Sequence, residues 1–130
     1  MKALFDTNIL VDYLNGVEVA RDELARYEDN AVSIISWMEV MAGAQEAEAV
    51  KVRAFLSGFS IVAVNAAIAE AAMTLRRERR LKLPDAIVWA SALSLDRLLV
   101  TRDEKDFPPN YPGVRVPYKF TLGRWQVLRP

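Results

Sequence analysis

The chain has 130 residues, with 17 basic and 17 acidic side chains that cancel to a formal charge of zero. Hydrophobic residues make up 52%, so one ordinary buried core is available and disorder is excluded. There is no Cys and no His, which excludes disulfides, thiolate nucleophiles, zinc knuckles, Ser-His-Asp triads and His acid–base pairs.

In chain order, Lys2–Phe5 is a short apolar run ending at Asp6. Ile9, Leu10, Tyr13 and Leu14 then recur at helical spacing up to Gly16. Val17 to Tyr27 reads as a second amphipathic helix, Asp29-Asn30 as a turn and Ala31–Ile35 as a buried strand. Helices follow over Ser36–Ala44 and Glu46–Phe55, then a strand over Ser60–Val64 and an Ala-rich helix over Ala66–Arg80. Pro84 opens a helix running to Leu95. Leu98–Val100 and Val114–Val116 read as strands, with an acidic loop at Asp103–Phe107 and a break at Pro108-Pro109 between them. Short apolar strands alternating with helices indicate one α/β domain over residues 1–130, a three-layer α/β/α sandwich around a mostly parallel sheet. The tail 118–130 is aromatic-rich (Tyr118, Phe120, Trp125) and reads either as an added edge strand or as a partner-covering segment.

The longest stretch without a charge, Ala54 to Ala69, is too short and too polar for a bilayer helix. The N-terminus reaches Asp6 before any signal-peptide core forms. These features point to a cytoplasmic protein. Residues 1–50 carry three basic side chains against ten acidic ones, and residues 51–130 carry fourteen against seven. An acidic site beside a basic track, as an enzyme on a polyanion needs, is one reading of this asymmetry; sequence halves that simply mix in space are the other.

Active sites of open α/β sheets form beyond the carboxyl ends of the strands. Asp6, Glu39, Asp85 and Asp103 all fall at such ends or in the helical turns that follow, with Asp106 three residues beyond Asp103. Each has a purely structural alternative. Asp6 can cap the helix after it, Ser36-Trp37-Met38-Glu39 matches a capping box, and Asp85 suits the positive end of a helix dipole. Taken together, four segments delivering carboxylates to one sheet edge require a counter-ion, because like charges raise one another's pKa. Without His or Cys, that ion is a hard, oxygen-preferring cation, Mg²⁺ or Mn²⁺, one or two in number. Such ions lower the pKa of bound water and clamp phosphate oxygens, which suits phosphodiester hydrolysis. Attack by an RNA 2′-hydroxyl would need a general base such as His. Water is therefore the expected nucleophile, leaving 5′-phosphate and 3′-hydroxyl ends.

Four blocks carry a closer likeness: Leu4-Phe5-Asp6-Thr7-Asn8-Ile9-Leu10, Ser36-Trp37-Met38-Glu39-Val40, Leu83-Pro84-Asp85-Ala86-Ile87 and Val100-Thr101-Arg102-Asp103-Glu104-Lys105-Asp106-Phe107. In order and spacing, residues 1 to about 117 resemble the PIN-domain ribonucleases, and among them the VapC-type toxins of toxin–antitoxin modules. The resemblance implies a Mg²⁺- or Mn²⁺-dependent endoribonuclease acting on RNA, a homodimer, and inhibition by a cognate antitoxin. It implies Asp6, Asp85 and Asp103 as metal ligands, and Glu39 as a further ligand or the group orienting a metal-bound water. Thr7, Asn8 and Thr101 would hold these acids in place. Many relatives have Asn at the Asp103 position and their fourth acid at the Asp106 position. Here both are acidic, and either can be the closer ligand.

Five cations crowd Arg76-Arg77-Glu78-Arg79-Arg80-Leu81-Lys82, just before Pro84-Asp85. They suit a solvated helix end, or a track for an RNA backbone or an acidic antitoxin segment. Arg76 and Arg80, at i,i+4, are the leading candidates for contacting RNA or the antitoxin, with Arg102 as a third. A receiver-type phosphoacceptor fits poorly, since Val62-Ala63-Val64-Asn65 offers no acceptor Asp. A non-catalytic PIN module that binds RNA or a protein partner is the remaining alternative.

Overall fold

The computed structural model describes residues 2–128. Its strands are β1 (Lys2–Phe5), β2 (Asp29–Ser33), β3 (Ser60–Val62), β4 (Leu98–Val100), β5 (Val114–Arg115), β6 (Tyr118–Thr121) and β7 (Arg124–Val127). Its helices are α1 (Thr7–Leu14), α2 (Glu18–Ala25), α3 (Ile34–Gly43), α4 (Ala49–Leu56), α5 (Ala66–Arg79) and α6 (Leu83–Ser94), with a 3₁₀ turn at Glu46–Glu48 before α4. The first five strands form one sheet in the order β3-β2-β1-β4-β5, and every neighbouring pair is parallel. The central sheet is thus wholly parallel, and the only antiparallel pairing among the described residues is the separate β6–β7 hairpin.

Alternation along each strand builds the three layers. Ala3, Phe5, Val32 and Val100 join Ile9, Leu10, Leu24, Val40, Val52 and Leu56, so α1 to α4 cover one face. Leu4, Ala31 and Leu99 join Ile68, Ala72, Trp89 and Phe107, so α5 and α6 cover the other. Burial on both faces explains why these strands read as continuous apolar runs. Each large side chain fully removed from water contributes roughly 1.5–3 kcal/mol. The chain steps outward from β1 to β3 with helices on one face and returns to β4 with helices on the opposite face. That reversal keeps a single crossover hand and makes β1 and β4 neighbours at the switch point.

Three boundaries depart from the sequence reading. Asp29 and Asn30 are not a turn: they pair with Lys2 and Ala3 at the start of β2. Ile34 and Ile35 are helical, because Ser33 caps α3 with its hydroxyl accepting from the Ile35 amide at 3.1 Å. An apolar run alone cannot say where a strand stops and a buried helix starts. The tail is not an added strand of the central sheet, since β6 and β7 pair only with each other. Their two-residue turn sits at Leu122 (φ 53°) and Gly123 (φ 74°), a left-handed pair that matches the twist of a tight hairpin.

A buried ion pair ties β5 to α2. Arg115 donates to both Glu23 oxygens, from Nε at 2.7 Å and from Nη2 at 3.1 Å, and the Tyr27 hydroxyl donates to Glu23 at 2.6 Å. Arg115→Met strands the Glu23 charge and is expected to lower unfolding free energy by about 3 kcal/mol in urea titrations. Arg21→Ala, which breaks only the exposed 3.8 Å pair with Glu18, should change it by less than about 0.5 kcal/mol. Equal losses from the two variants would refute this assignment.

Candidate metal centre

The carboxyl ends of β1 and β4 open side by side, and their first residues beyond the sheet interlock. Asp6 continues the β1 ladder through its amide to the Val100 carbonyl at 2.9 Å. Its side chain also caps α1, with Oδ1 accepting from the Thr7 amide at 2.8 Å. Oδ2 accepts from the Thr101 hydroxyl at 2.9 Å and from Asn8 Nδ2 at 3.4 Å. Asn8 Oδ1 in turn accepts from the Arg102 amide at 3.1 Å, and Thr101 Oγ1 accepts from the Asp103 amide at 3.0 Å. Thr101 and Asp6 are buried. Asn8 and Thr101 thus bind the α1 N-terminus to the loop after β4.

The remaining acids come from three other segments. Glu39 lies within α3, not at its start, so the capping box expected at Ser36 does not form. Instead the Thr7 hydroxyl donates to Glu39 Oε1 at 2.6 Å and stands 2.9 Å from Ser36 Oγ. Ser36, buried in the helix interior, is a supporting group that the sequence marked only as a cap. Asp85 sits in the first turn of α6 behind Pro84. Asp103 Oδ1 accepts from the amides of Lys105 and Asp106 at 3.1 and 3.2 Å, folding the acidic loop back on itself. Asp85, Asp103 and Asp106 can each offer one carboxylate oxygen, all within 4.8 Å of one another. Asp103 and Asp106 thus share the cluster with Asp85.

Crowding leaves an electrostatic mark. Burial, reinforced by Asp85 and Asp103, pushes the Asp6 pKa up to about 6 against the stabilising bonds from Thr101 and Thr7. Burial and the charges of Asp106, Asp103 and Glu39 raise Asp85 as well, opposed by the Lys82 ammonium. Lys82 is a neighbour of the site that was visible in sequence only as one of a run of cations. The donor set consists of carboxylate oxygens on a half-buried edge, and it fits a hard divalent cation. An open cavity of about 420 Å³ borders Glu39, lined also by Val11, Leu14, Val40, Lys51 and Val52.

The basic candidates separate. Arg76 donates from Nη1 to the Leu81 carbonyl at 2.8 Å while remaining exposed. Arg80 has left the helix in a left-handed conformation (φ 54°), so it does not continue the face of Arg76 as i,i+4 spacing would have it. Arg79 lies over the rings of Trp89 and Tyr111, at 5.0 and 4.5 Å. Arg102 is tied to the protein itself: its guanidinium donates to Asp12 through Nε at 2.7 Å and Nη2 at 2.9 Å, while the side chain stays about one-third exposed.

The raised Asp6 pKa carries a stability cost. Unfolded, the group titrates near 3.8; folded, near 6. The folded chain holds the extra proton between these values, so stability falls as pH rises from about 4 to about 6. In chelator, Asp6→Asn is expected to stabilise the chain at pH 7.5 by an amount of order 3 kcal/mol, with the gain vanishing towards pH 4. Urea titrations at the two pH values check this, and a destabilised variant at pH 7.5 would contradict it.

Known proteins resemble this chain in sequence and fold. Residues 3–108 match the family model of the PIN domain. Ribonuclease VapC19 of Mycobacterium tuberculosis is 32% identical over 124 residues, spanning 88% of this chain and 98% of that protein. Ribonuclease VapC10 of the same species is 30% identical, over 81% of this chain and 85% of its own length. A toxin–antitoxin complex from Klebsiella pneumoniae contains a chain 45% identical to this one, with a TM-score of 0.86 over 90% of this chain and 98% of that one. DNA-bound VapBC from Salmonella typhimurium, at 23% identity and a TM-score of 0.72 over 88% of this chain and 96% of that one, shares the fold. The chain belongs to the PIN-domain family, with the VapC ribonucleases among its relatives.

Proposed function

We propose that this chain is a metal-dependent endoribonuclease, the toxin of a toxin–antitoxin pair, working in the cytoplasm as a homodimer that its antitoxin holds inactive. The observation that carries the reading is the gathering of Asp6, Glu39, Asp85, Asp103 and Asp106 at one sheet edge in a chain similar to ribonucleases along nearly its whole length. Among the described residues no helix is long and apolar enough to cross a membrane, and the partners proposed are RNA and protein.

Asp85, Asp103 and Asp106, with Asp6 behind them, would hold one or two ions of Mg²⁺ or Mn²⁺. A bound ion of this kind supplies Lewis-acid polarisation of a phosphodiester and a lowered pKa for water. The chain's own groups do the rest. Thr101 and Asn8 keep the Asp6 carboxylate aimed by occupying its Oδ2. Thr7 orients Glu39, whose exposed carboxylate accepts a hydrogen bond from the attacking water. Arg76, Arg80 and Lys82 offer cations for the RNA backbone on the Asp85 side. No His is present to take a proton from a 2′-hydroxyl, so water attacks and 5′-phosphate and 3′-hydroxyl ends result.

Incubating the chain with a panel of RNAs in Mn²⁺ tests this. Cleavage should be abolished by chelator and reduced at least about a hundredfold by Asp85→Asn. Metal-independent cutting, or 2′,3′-cyclic phosphate products, would overturn the mechanism; no cleavage and no metal binding would favour a non-catalytic binding module. For the basic track, Arg76→Gln should weaken RNA binding and lower the salt slope by about 0.7 for one lost phosphate contact. An unchanged slope would remove Arg76 from the track.

A further inference from the structure

We propose that the β6–β7 hairpin, which lies beyond the PIN-matched residues 3–108, is a positioning brace for the acidic loop, acting through Arg102. The proposal rests on the metal-centre reading for its functional meaning and on geometry for its existence.

Arg102 stands between Thr101, which bonds Asp6, and Asp103, which belongs to the carboxylate cluster. Its backbone is fixed to Asn8, and its side chain is held by partners from two elements, one of them supported by a third. From α1, the buried Asp12 takes the guanidinium fork with both oxygens. From β6, the buried Tyr118 hydroxyl donates to Asp12 Oδ2 at 2.8 Å, completing that carboxylate. From β7, the Trp125 ring faces the guanidinium, with Cζ 5.4 Å from the ring centroid. Trp125 is itself held edge-on by Tyr118 and Phe120, at 5.4 and 4.8 Å between centroids. A planar, delocalised cation gripped by a carboxylate on its edge and an indole on its face has little freedom to turn.

The consequence is a chain of constraint from the hairpin to the acids. Tyr118 and Trp125 fix Arg102, and Arg102 fixes the backbone from which Thr101 reaches Asp6 and Asp103 reaches the cluster. Groups that orient ligands without touching the ion commonly change affinity by about 10- to 100-fold when removed. Buried Tyr118 and half-buried Trp125 are thus positioning residues, and the hairpin's exposed residues, Leu122 among them, are dispensable to this role.

Amide hydrogen exchange on the metal-free full chain tests the brace without RNA or metal. In Tyr118→Phe combined with Trp125→Leu, the amides of Asp103, Lys105 and Asp106 should exchange about tenfold faster, while those of β2 keep their wild-type rates. Tyr118→Phe alone, which keeps the ring, should show the same local pattern at smaller amplitude and serves if the double variant does not fold. Unchanged loop exchange, or acceleration spread evenly over the chain, would overturn the proposal, the latter marking a purely global effect. Calorimetric Mn²⁺ binding should weaken about tenfold in the double variant; unchanged affinity would overturn the brace's link to the site. A wild-type chain that binds no Mn²⁺ would instead sink the metal-centre reading, and the exchange result would still judge the brace.

Discussion

Anionic side chains repel, and this fold spends much of its polar inventory holding several of them together. Asp6 is buried with its pKa raised by that burial and by its acidic neighbours, yet it keeps three hydrogen-bond donors on its two oxygens. One hydroxyl and two amide groups hold it in place, where an Arg would neutralise it. The cations of this chain are placed accordingly: Arg102 on Asp12, Arg115 on Glu23, Arg97 on Asp29. Among the described residues none of the acids at the sheet edge is ion-paired with an Arg or Lys, which suits the cation proposed above.

Topology supplies the rest of that arrangement. Because β1 and β4 are neighbours at the switch point, the residues just beyond them meet although 95 positions separate Thr101 from Asp6. The helices that follow β2 and precede β4 bring Glu39 and Asp85 to the same edge from opposite layers. The buried Arg115–Glu23 pair then anchors β5 to α2, and the half-buried Arg102–Asp12 pair anchors the loop after β4 to α1. Replacing such pairs with apolar groups is often tolerated in folding terms, so a second reason for keeping Asp12–Arg102 is welcome. The brace on the acidic loop supplies it.

Much of this was legible in the sequence because the signals were local. An apolar run ended by Asp6, a proline before Asp85 and a strand followed by Thr101-Arg102-Asp103 each announce a strand end or a helix start within a few residues. What was hidden depended on distant partners. Nothing near Arg102 reveals its partner Asp12, 90 positions away. The start of α3 was hidden because its cap, Ser33, sits inside the otherwise apolar run Ala31 to Ile35, and the capping box at Ser36 followed from that error. The hairpin was hidden because Leu122-Gly123 lacks the Asn-Gly signature of its turn, though the backbone adopts the same left-handed pair. In each case a local pattern allowed two outcomes and tertiary packing chose.

Five carboxylates at one sheet edge are proposed to hold a hard divalent cation. Crystals grown without metal and soaked in Mn²⁺ test it most directly, by anomalous difference density. The account predicts a peak coordinated by oxygens of Asp85 and at least one of Asp103 and Asp106, with Asp6 adjacent, and its loss in Asp85→Asn. A well-ordered edge with no peak at millimolar Mn²⁺, or a peak elsewhere on the surface, would contradict it.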